Sequence, residues 1–241
     1  MNLRSKQRGF LLNHYRMRPA PDPHWANVTL LIQGIGIDGG TTVVDSGPLA
    51  TPLVQVGAPV TSTAQAKFGT SSLKVGSGLN YLYASNTGSR FDLPGDFTWE
   101  AWAYLTSSPG ESGILTLYDY ATPHNSFVRQ SFRIDSYERI VCNGAIYTPG
   151  NDEIGQHTLN VWHHMAFSRQ SGTVRVFRDG VLRGSNTSAA IPPGVLTLGI
   201  GAYGETANNQ WQGYLDEIRI TKGIARYTAD FAVPTARFPT Y

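Results

Sequence analysis

The chain has 241 residues, 41% of them hydrophobic, with 26 Gly and 14 Pro, which excludes a disordered polymer and suits one large β domain or two small ones. Net charge is only +2, and no apolar run reaches the ~18 residues that a membrane-spanning helix needs. A single cysteine, Cys142, excludes an intrachain disulfide; beside Ile140 and Val141 in an expected strand, it reads as a buried thiol rather than a nucleophile.

The charge is concentrated at one end. Residues 1–18 carry Arg4, Lys6, Arg8, Arg16 and Arg18 and no acid, which leaves 14 basic against 17 acidic residues in the remainder, a body near −3. Nucleic acid is therefore not expected as a partner of the fold itself. Residues 1–24 read as an extended basic arm, because Pro19, Pro21 and Pro23 favour a strap over a helix. Such an arm either docks on a neighbouring subunit or folds back on its own domain. Phe10, Leu11 and Leu12 make too short an apolar patch for a signal peptide, so no secretion signal is expected.

From Trp25 the body, residues 25–241, alternates short apolar strands with Gly, Asn, Asp and Pro. Residues 28–32 predict a buried strand, residues 34–42 a Gly-rich loop carrying Asp38, and residues 68–75 and 81–83 two further strands. In residues 97–105, alternation puts Phe97, Trp99, Ala101, Ala103 and Leu105 on one face and Thr98, Glu100, Trp102 and Tyr104 on the other. Residues 115–118, 132–134 and 139–141 are further short strands. Residues 163–182 predict three strands and two tight turns, at Gln170-Ser171-Gly172 and Asp179-Gly180, whose residues tolerate positive φ. Here Val174 and Val176 face one way, Arg175 and Phe177 the other. Residues 196–200 and 214–220 close the sheets, and residues 222–241, with Pro234 and Pro239, predict a strap with at most one helical turn. About a dozen such strands make two packed antiparallel sheets.

Five stretches, in order, carry a resemblance: F-G-T-S-S-L (68–73), D-F-T-W-E-A-W (96–102), W-H-H-M-A-F-S-R (162–169), R-V-F-R-D-G-V-L (175–182) and G-Y-L-D-E-I-R-I-T-K-G-I-A-R-Y-T (213–228). Over residues 24–240 the chain resembles the laminin-G-like, concanavalin A-like domains, in the versions found in bacteriophage structural proteins. The resemblance implies an all-β jelly-roll sandwich of two antiparallel sheets. It implies no single function, since its members include lectins, glycosidases and interaction modules.

The candidate sites follow. Alternation in residues 214–220 places Asp216 with Ile218 and Ile220 on the core face, where a carboxylate must be paired, hydrogen-bonded or metal-bound. The resemblance implies a structural Ca²⁺ here, held by Asp216 with carbonyls of the first loop such as that of Gly34, and Asp38 as a helper. The alternative is an Asp216 that accepts backbone N–H bonds or pairs with an arginine. Glu100, Trp102 and Tyr104 form either a sugar-binding groove or a salt-bridged rim. Tyr118, Tyr120, Tyr203, Asn208 and Trp211 form either a glycan- or partner-binding rim or a solvated connection. The acid triplet E-x-D-x-x-E of glycosidases with this fold is absent, and Asp152-Glu153 would face opposite ways on a strand. His163 and His164 likewise point apart, and His124 and His157 have no partner at ligand spacing.

The expectation is thus a non-enzymatic structural protein at the surface of a phage virion: a capsid decoration, head-fibre or tail component. It would assemble with copies of itself or other virion proteins as a homo-oligomer through the arm. The alternatives are a glycan-binding, lectin-like module contacting the host surface and, last, a glycoside hydrolase.

Overall fold

The structure, a computed structural model, describes residues 20–76, 78–107, 112–119, 127–134, 138–142, 145–147, 158–187, 194, 196–202 and 210–241. Its strands in chain order are β1 (Val28–Ile32), β2 (Val54–Val56), β3 (Val60–Ser62), β4 (Ser72–Val75), β5 (Tyr81–Ser85), β6 (Phe97–Leu105), β7 (Ser112–Asp119), β8 (Phe127–Ile134), β9 (Glu138–Cys142), β10 (Ala145–Tyr147), β11 (Trp162–Gln170), β12 (Thr173–Arg178), β13 (Val181–Thr187), β14 (Leu196–Ile200) and β15 (Gly213–Lys222). They form two sheets. One runs β13-β12-β11-β6-β15-β4-β3 with β1 also on β15, and the other runs β10-β9-β8-β7-β14-β5-β2. The pairings between these strands are antiparallel.

Period-2 alternation builds the core as expected. Phe97, Trp99, Ala101, Ala103 and Leu105 of β6, Met165 and Phe167 of β11, and Val174 and Val176 of β12 face Leu82, Ala84, Leu115, Leu117, Leu198 and Ile200 of the second sheet. Trp99 is fully buried, with the rings of Phe97 and Phe167 each 6.1 Å away. Both expected turns form: Ser171 and Gly172 at φ 47° and 84°, Asp179 and Gly180 at 52° and 78°. Strands β2, β3 and β10 escape the sequence pattern because each is only three residues long.

β15 departs from simple alternation. Asp216 pairs with Trp102 and Arg219 with Glu100, so residues 217 and 218 together oppose Ala101. This is a β-bulge, with Glu217 at φ 50°. The extra residue reverses the face assignment. Leu215, Ile218 and Ile220 enter the core, whereas Asp216 lies on the outer face with Trp102. The expectation that Asp216 shares the core face with Ile218 and Ile220 is corrected by this one inserted position. The bulge also divides the free edge of β15: β4 takes Gly213, Tyr214 and Leu215, and β1 takes Ile218 to Thr221.

The outer face of the first sheet is covered by the two ends of the body. Residues 20–27 and 223–241 meet there, with Asp22 N–H donating to the Tyr241 carbonyl at 2.9 Å. Trp25 and Phe238 pack on Val28 and Leu31. Tyr227 and Phe231 stack face to face at 3.6 Å and lie edge-on to His164 and Phe177. Residues 20–24, expected in the arm, are part of this cover, and residues 1–19 with Arg4, Lys6, Arg8, Arg16 and Arg18 lie outside the described residues. The strap contains no helical turn, within the expectation of at most one. Phe231 instead binds the β12–β13 turn, its N–H donating to the Gly180 carbonyl at 2.9 Å.

Candidate functional site

Directly opposed residues of neighbouring strands share a face, so the register resolves the outer face into cross-strand rows. One row holds Leu31, Arg219, Glu100, Ala166 and Phe177; the next holds Asp216, Trp102 and His164. The row after that holds Val60, Lys74, Tyr214, Tyr104 and Trp162, from β3, β4, β15, β6 and β11.

The first two rows are closed. Glu100 is fully buried. Arg219 donates to its Oε1 through Nε at 2.9 Å and Nη2 at 2.7 Å, the Tyr227 hydroxyl donates to Oε2 at 2.7 Å, and His164 Nε2 lies 3.2 Å from Oε2. Arg219 and Arg226 also converge on Asp22, at 3.0 and 2.7 Å. Burial alone would raise the Glu100 carboxyl, but Arg219, His164 and Arg226 outweigh it and hold the group well below the usual carboxylate range. Burial and the Glu100 charge push the Tyr227 phenol upward. Trp102, 4% exposed, is capped by Lys67, whose Nζ sits 3.6 Å from the ring centroid, and by Phe68 edge-on at 5.9 Å. The expected groove of Glu100, Trp102 and Tyr104 is therefore corrected: the cover converts Glu100 and Trp102 into structural residues, and only Tyr104 remains on open surface.

The third row is open at Lys74, Tyr104 and Trp162. Lys74 is exposed and Tyr104 and Trp162 are half-buried, while Tyr214 between Lys74 and Tyr104 is buried, at 8% exposed. The Tyr104 and Trp162 ring centroids are 5.4 Å apart, those of Tyr104 and Tyr214 5.7 Å, and Lys74 Nζ stands 6.0 Å from the Tyr214 ring. The row crosses four adjacent strands from Lys74 to Trp162, about 14 Å at the usual ~4.8 Å strand spacing. At its Lys74 end lies a cleft of about 410 Å³ lined by Val60, Lys74, Asn80, Thr106, Gln212 and Tyr214, among others. Asn80 is braced, its Oδ1 accepting from Ala58 N–H at 2.7 Å and its Nδ2 donating to the Gly76 carbonyl at 2.8 Å. Thr106 donates both its N–H and its hydroxyl to the Gln212 carbonyl. Sequence reading placed Tyr104 here and missed Lys74, Tyr214 and Trp162. Lys74, a charged residue between Leu73 and Val75, was the one local signal of an outward face.

Asp216 is met by protein donors. Its Oδ1 accepts from the N–H groups of Gly34 and Glu217, both at 2.9 Å, and its Oδ2 from those of Lys67 and Phe68, both at 3.2 Å. These groups converge where β1 and β4 part along β15. Burial raises the Asp216 carboxyl against those four bonds, and burial likewise raises its neighbour Glu217. Gly34 is held against the chain so closely that a Cβ would fall 1.8 Å from the Ser71 carbonyl oxygen. Its own carbonyl accepts from Arg237 Nη2 at 3.2 Å, and Asp38 is engaged by Thr63 N–H at 2.9 Å and the Ser62 hydroxyl at 3.2 Å. N–H groups on both carboxylate oxygens and a guanidinium on the carbonyl already occupy the acceptors a cation would use. Asp216, Asp38 and Gly34 therefore do not fit as a calcium ligand set, and the alternative of backbone N–H bonds is what this geometry has.

Of the second expected rim, the two described residues, Tyr118 and Trp211, are buried. Trp211 is fully buried in the core, its Nε1–H donating to the Tyr104 carbonyl at 3.1 Å. Tyr118 is 3% exposed and donates its hydroxyl to the Ala202 carbonyl at 3.3 Å. Tyr120, Tyr203 and Asn208 lie outside the described residues, as do His124, Asp152, Glu153 and His157. His163 and His164 diverge as alternation requires: His163 Nδ1 lies 2.6 Å from Asp179, and His164 turns to Glu100.

Against known proteins, the family model of the concanavalin A-like lectin/glucanases superfamily matches residues 76–225. No curated protein matches the sequence. Among solved structures, the chain is similar to one of botulinum neurotoxin type C, described as dependent for cell entry on two ganglioside molecules, at 11% identity and TM-score 0.57, covering 82% of this chain and 48% of that one. It is also similar to domain 4 of a Geobacillus stearothermophilus GH43 extracellular arabinanase in complex with arabinotriose, at 15% identity and TM-score 0.53, covering 83% and 94%. A Trypanosoma rangeli sialidase matches at 14% identity and TM-score 0.55, covering 81% and 30%. The chain spans about half the length of the first of these structures, and at such identities the likeness is one of fold.

Proposed function

This chain belongs to the concanavalin A-like lectin/glucanases superfamily, and from that premise we propose that it is a non-catalytic carbohydrate-recognition domain that binds through the open rings of this row, Tyr104 and Trp162, and the cleft beside them. The observation that carries this reading is that the cover closes two rows of the outer face and leaves the aromatic one open beside a polar cleft. Aromatic rings next to amide, hydroxyl and ammonium groups suit the apolar face and hydroxyl rim of a sugar. A row spanning four strands suits an oligosaccharide rather than one ring. The arabinotriose held by the arabinanase domain and the ganglioside interaction of the neurotoxin support the sugar class by analogy of fold. The non-catalytic assignment rests on the described carboxylates Glu100, Asp216 and Glu217, each buried and engaged in holding the fold together.

The test is an oligosaccharide array followed by titration calorimetry. Binding should weaken about tenfold or more, 1.4 kcal/mol, in Trp162→Ala and in Tyr104→Ala, with the melting temperature measured beside it to separate binding from folding. An array with no hits would overturn the reading.

A second reading, self-assembly in a virion, is favoured by the five basic residues of the arm and by the exposed side chains of Ile35, Ile37, Val44 and Leu49. Light scattering on the full chain and on a chain lacking residues 1–18 tests it. An oligomer that needs those residues supports it, and a monomer in both removes it.

A further inference from the structure

We propose that the sugar taken by this face is acidic, and that Lys74 is the residue that selects its carboxylate. This rests on the carbohydrate-binding reading above and adds to it a ligand charge. Lys74 is the one charged side chain lining the cleft among the described residues. It is exposed, and strand alternation holds it outward, since Leu73 and Val75 on either side are core residues. Its nearest row neighbour is Tyr214, 6.0 Å from Nζ to ring centroid, so the ammonium stands at the end of the aromatic run. The described acids of the outer face are engaged elsewhere. Asp216 belongs to the adjoining row and Glu100 to the row beyond it, and they are consumed by backbone N–H groups and by Arg219. Asp38, which senses the Lys74 charge at a distance, is held by Ser62 and Thr63.

The other polar groups of the cleft are neutral: Asn80, Thr106 and Gln212. Such a site presents one ammonium, amides and hydroxyls, and stacked rings in sequence. A sugar with a ring carboxylate complements it: the carboxylate on Lys74, the hydroxyls on the amides, the ring faces along Tyr104 and Trp162. A neutral sugar satisfies the last two and leaves the ammonium unused. A charge-assisted hydrogen bond of this kind raises affinity by about tenfold over the neutral counterpart.

The experiment compares matched pairs by calorimetry at low salt: 3′-sialyllactose against lactose for the sialic acids, and trigalacturonic acid against its methyl ester for the uronic acids. The expected result is about tenfold tighter binding of at least one acid than of its partner, with the responding pair identifying the source. Lys74→Gln should bring the affinity ratio of acid to neutral partner to about one, Lys74→Arg should keep it well above one, and added NaCl should lower that ratio in the wild type. Equal affinity for acid and neutral partner, or a preference that survives Lys74→Gln, overturns the proposal while the carbohydrate reading stands. No binding by any of the four, together with an empty array, overturns both.

Discussion

Glu100 shows how one side chain changes role with its surroundings. On a bare sheet it would rim a groove, whereas beneath Tyr227 it is the centre of a buried charge network with Arg219, Arg226, Asp22 and His164. Removing one partner of a buried pair costs about 3–5 kcal/mol, because the other charge stays buried without compensation. Glu100→Gln should therefore lower stability by about that amount at pH 7 in denaturant melts. The carboxyl is depressed in the folded state, so its contribution is complete above the unfolded value near 4.3 and is lost as pH falls towards the folded value. The difference between wild type and Glu100→Gln should consequently shrink below about pH 4. A gap constant from pH 7 to pH 2 would remove the ionised Glu100 from the stability of the fold. Asp216 makes a different prediction. Asp216→Ala strands four N–H groups, two of them buried, and should cost about 2–3 kcal/mol, and a calcium chelator should leave the wild-type melting temperature unchanged. A chelator-induced drop of several degrees would restore a metal to the site.

At the level of strands and turns, burial decides what equal residues are worth. Trp99 is enclosed between the sheets, and Trp162 lies half-open on the outer face. Trp99→Ala should cost about 3–5 kcal/mol, and Trp162→Ala, tested in the same melts, less than half of that. Equal losses would contradict the register of β11 on β6. The Asp179-Gly180 turn has a second duty. A Cβ on Gly180 would meet the Phe231 carbonyl at 2.0 Å, and the residue sits at φ 78°. Gly180→Ala should thus both strain the turn and lift the strap, destabilising by more than the ~1 kcal/mol of an ordinary positive-φ glycine replacement. Proteolysis within residues 223–241 should accelerate in parallel. The long strands were readable because nine alternating residues, as in β6 and β11, repeat the same signal. The bulge in β15 was not, because no residue between Asp216 and Arg219 announces positive φ: the position is held by Glu217, whose carboxylate is bound by Gln33 and by the Phe238 N–H.

For the molecule as a whole, the ends close the structure. β1 and β15 pair residues nearly the whole described chain apart, and Asp22 joins Arg219, Arg226 and the Tyr241 carbonyl. Deleting residues 223–241 removes Tyr227, Phe231 and Phe238 together and uncovers Glu100, His164 and Phe177. The truncated chain should lose near-ultraviolet dichroism and bind a hydrophobic dye. A native spectrum after truncation would make the strap an ornament. Folding should be slow, milliseconds to seconds, as for other sandwiches dominated by distant pairings.

Local chemistry was sufficient for the fold class. Alternation in residues 97–105 and 163–182 and the two positive-φ turns predicted packed antiparallel sheets, because strand period and turn conformation are properties of neighbouring residues; the concanavalin A-like form was implied by the resemblance that the motif order carries. What covers the outer face was decided by tertiary structure alone. Glu100, Trp102 and Tyr104 alternate identically in sequence, yet Tyr227 of the strap covers the first, Lys67 and Phe68 cover the second, and the third stays half-open. Lys74, Tyr214, Tyr104 and Trp162 come from four strands and meet only through inter-strand register. Register between distant strands is set by the packing of the assembled sheets, and no local pattern encodes it.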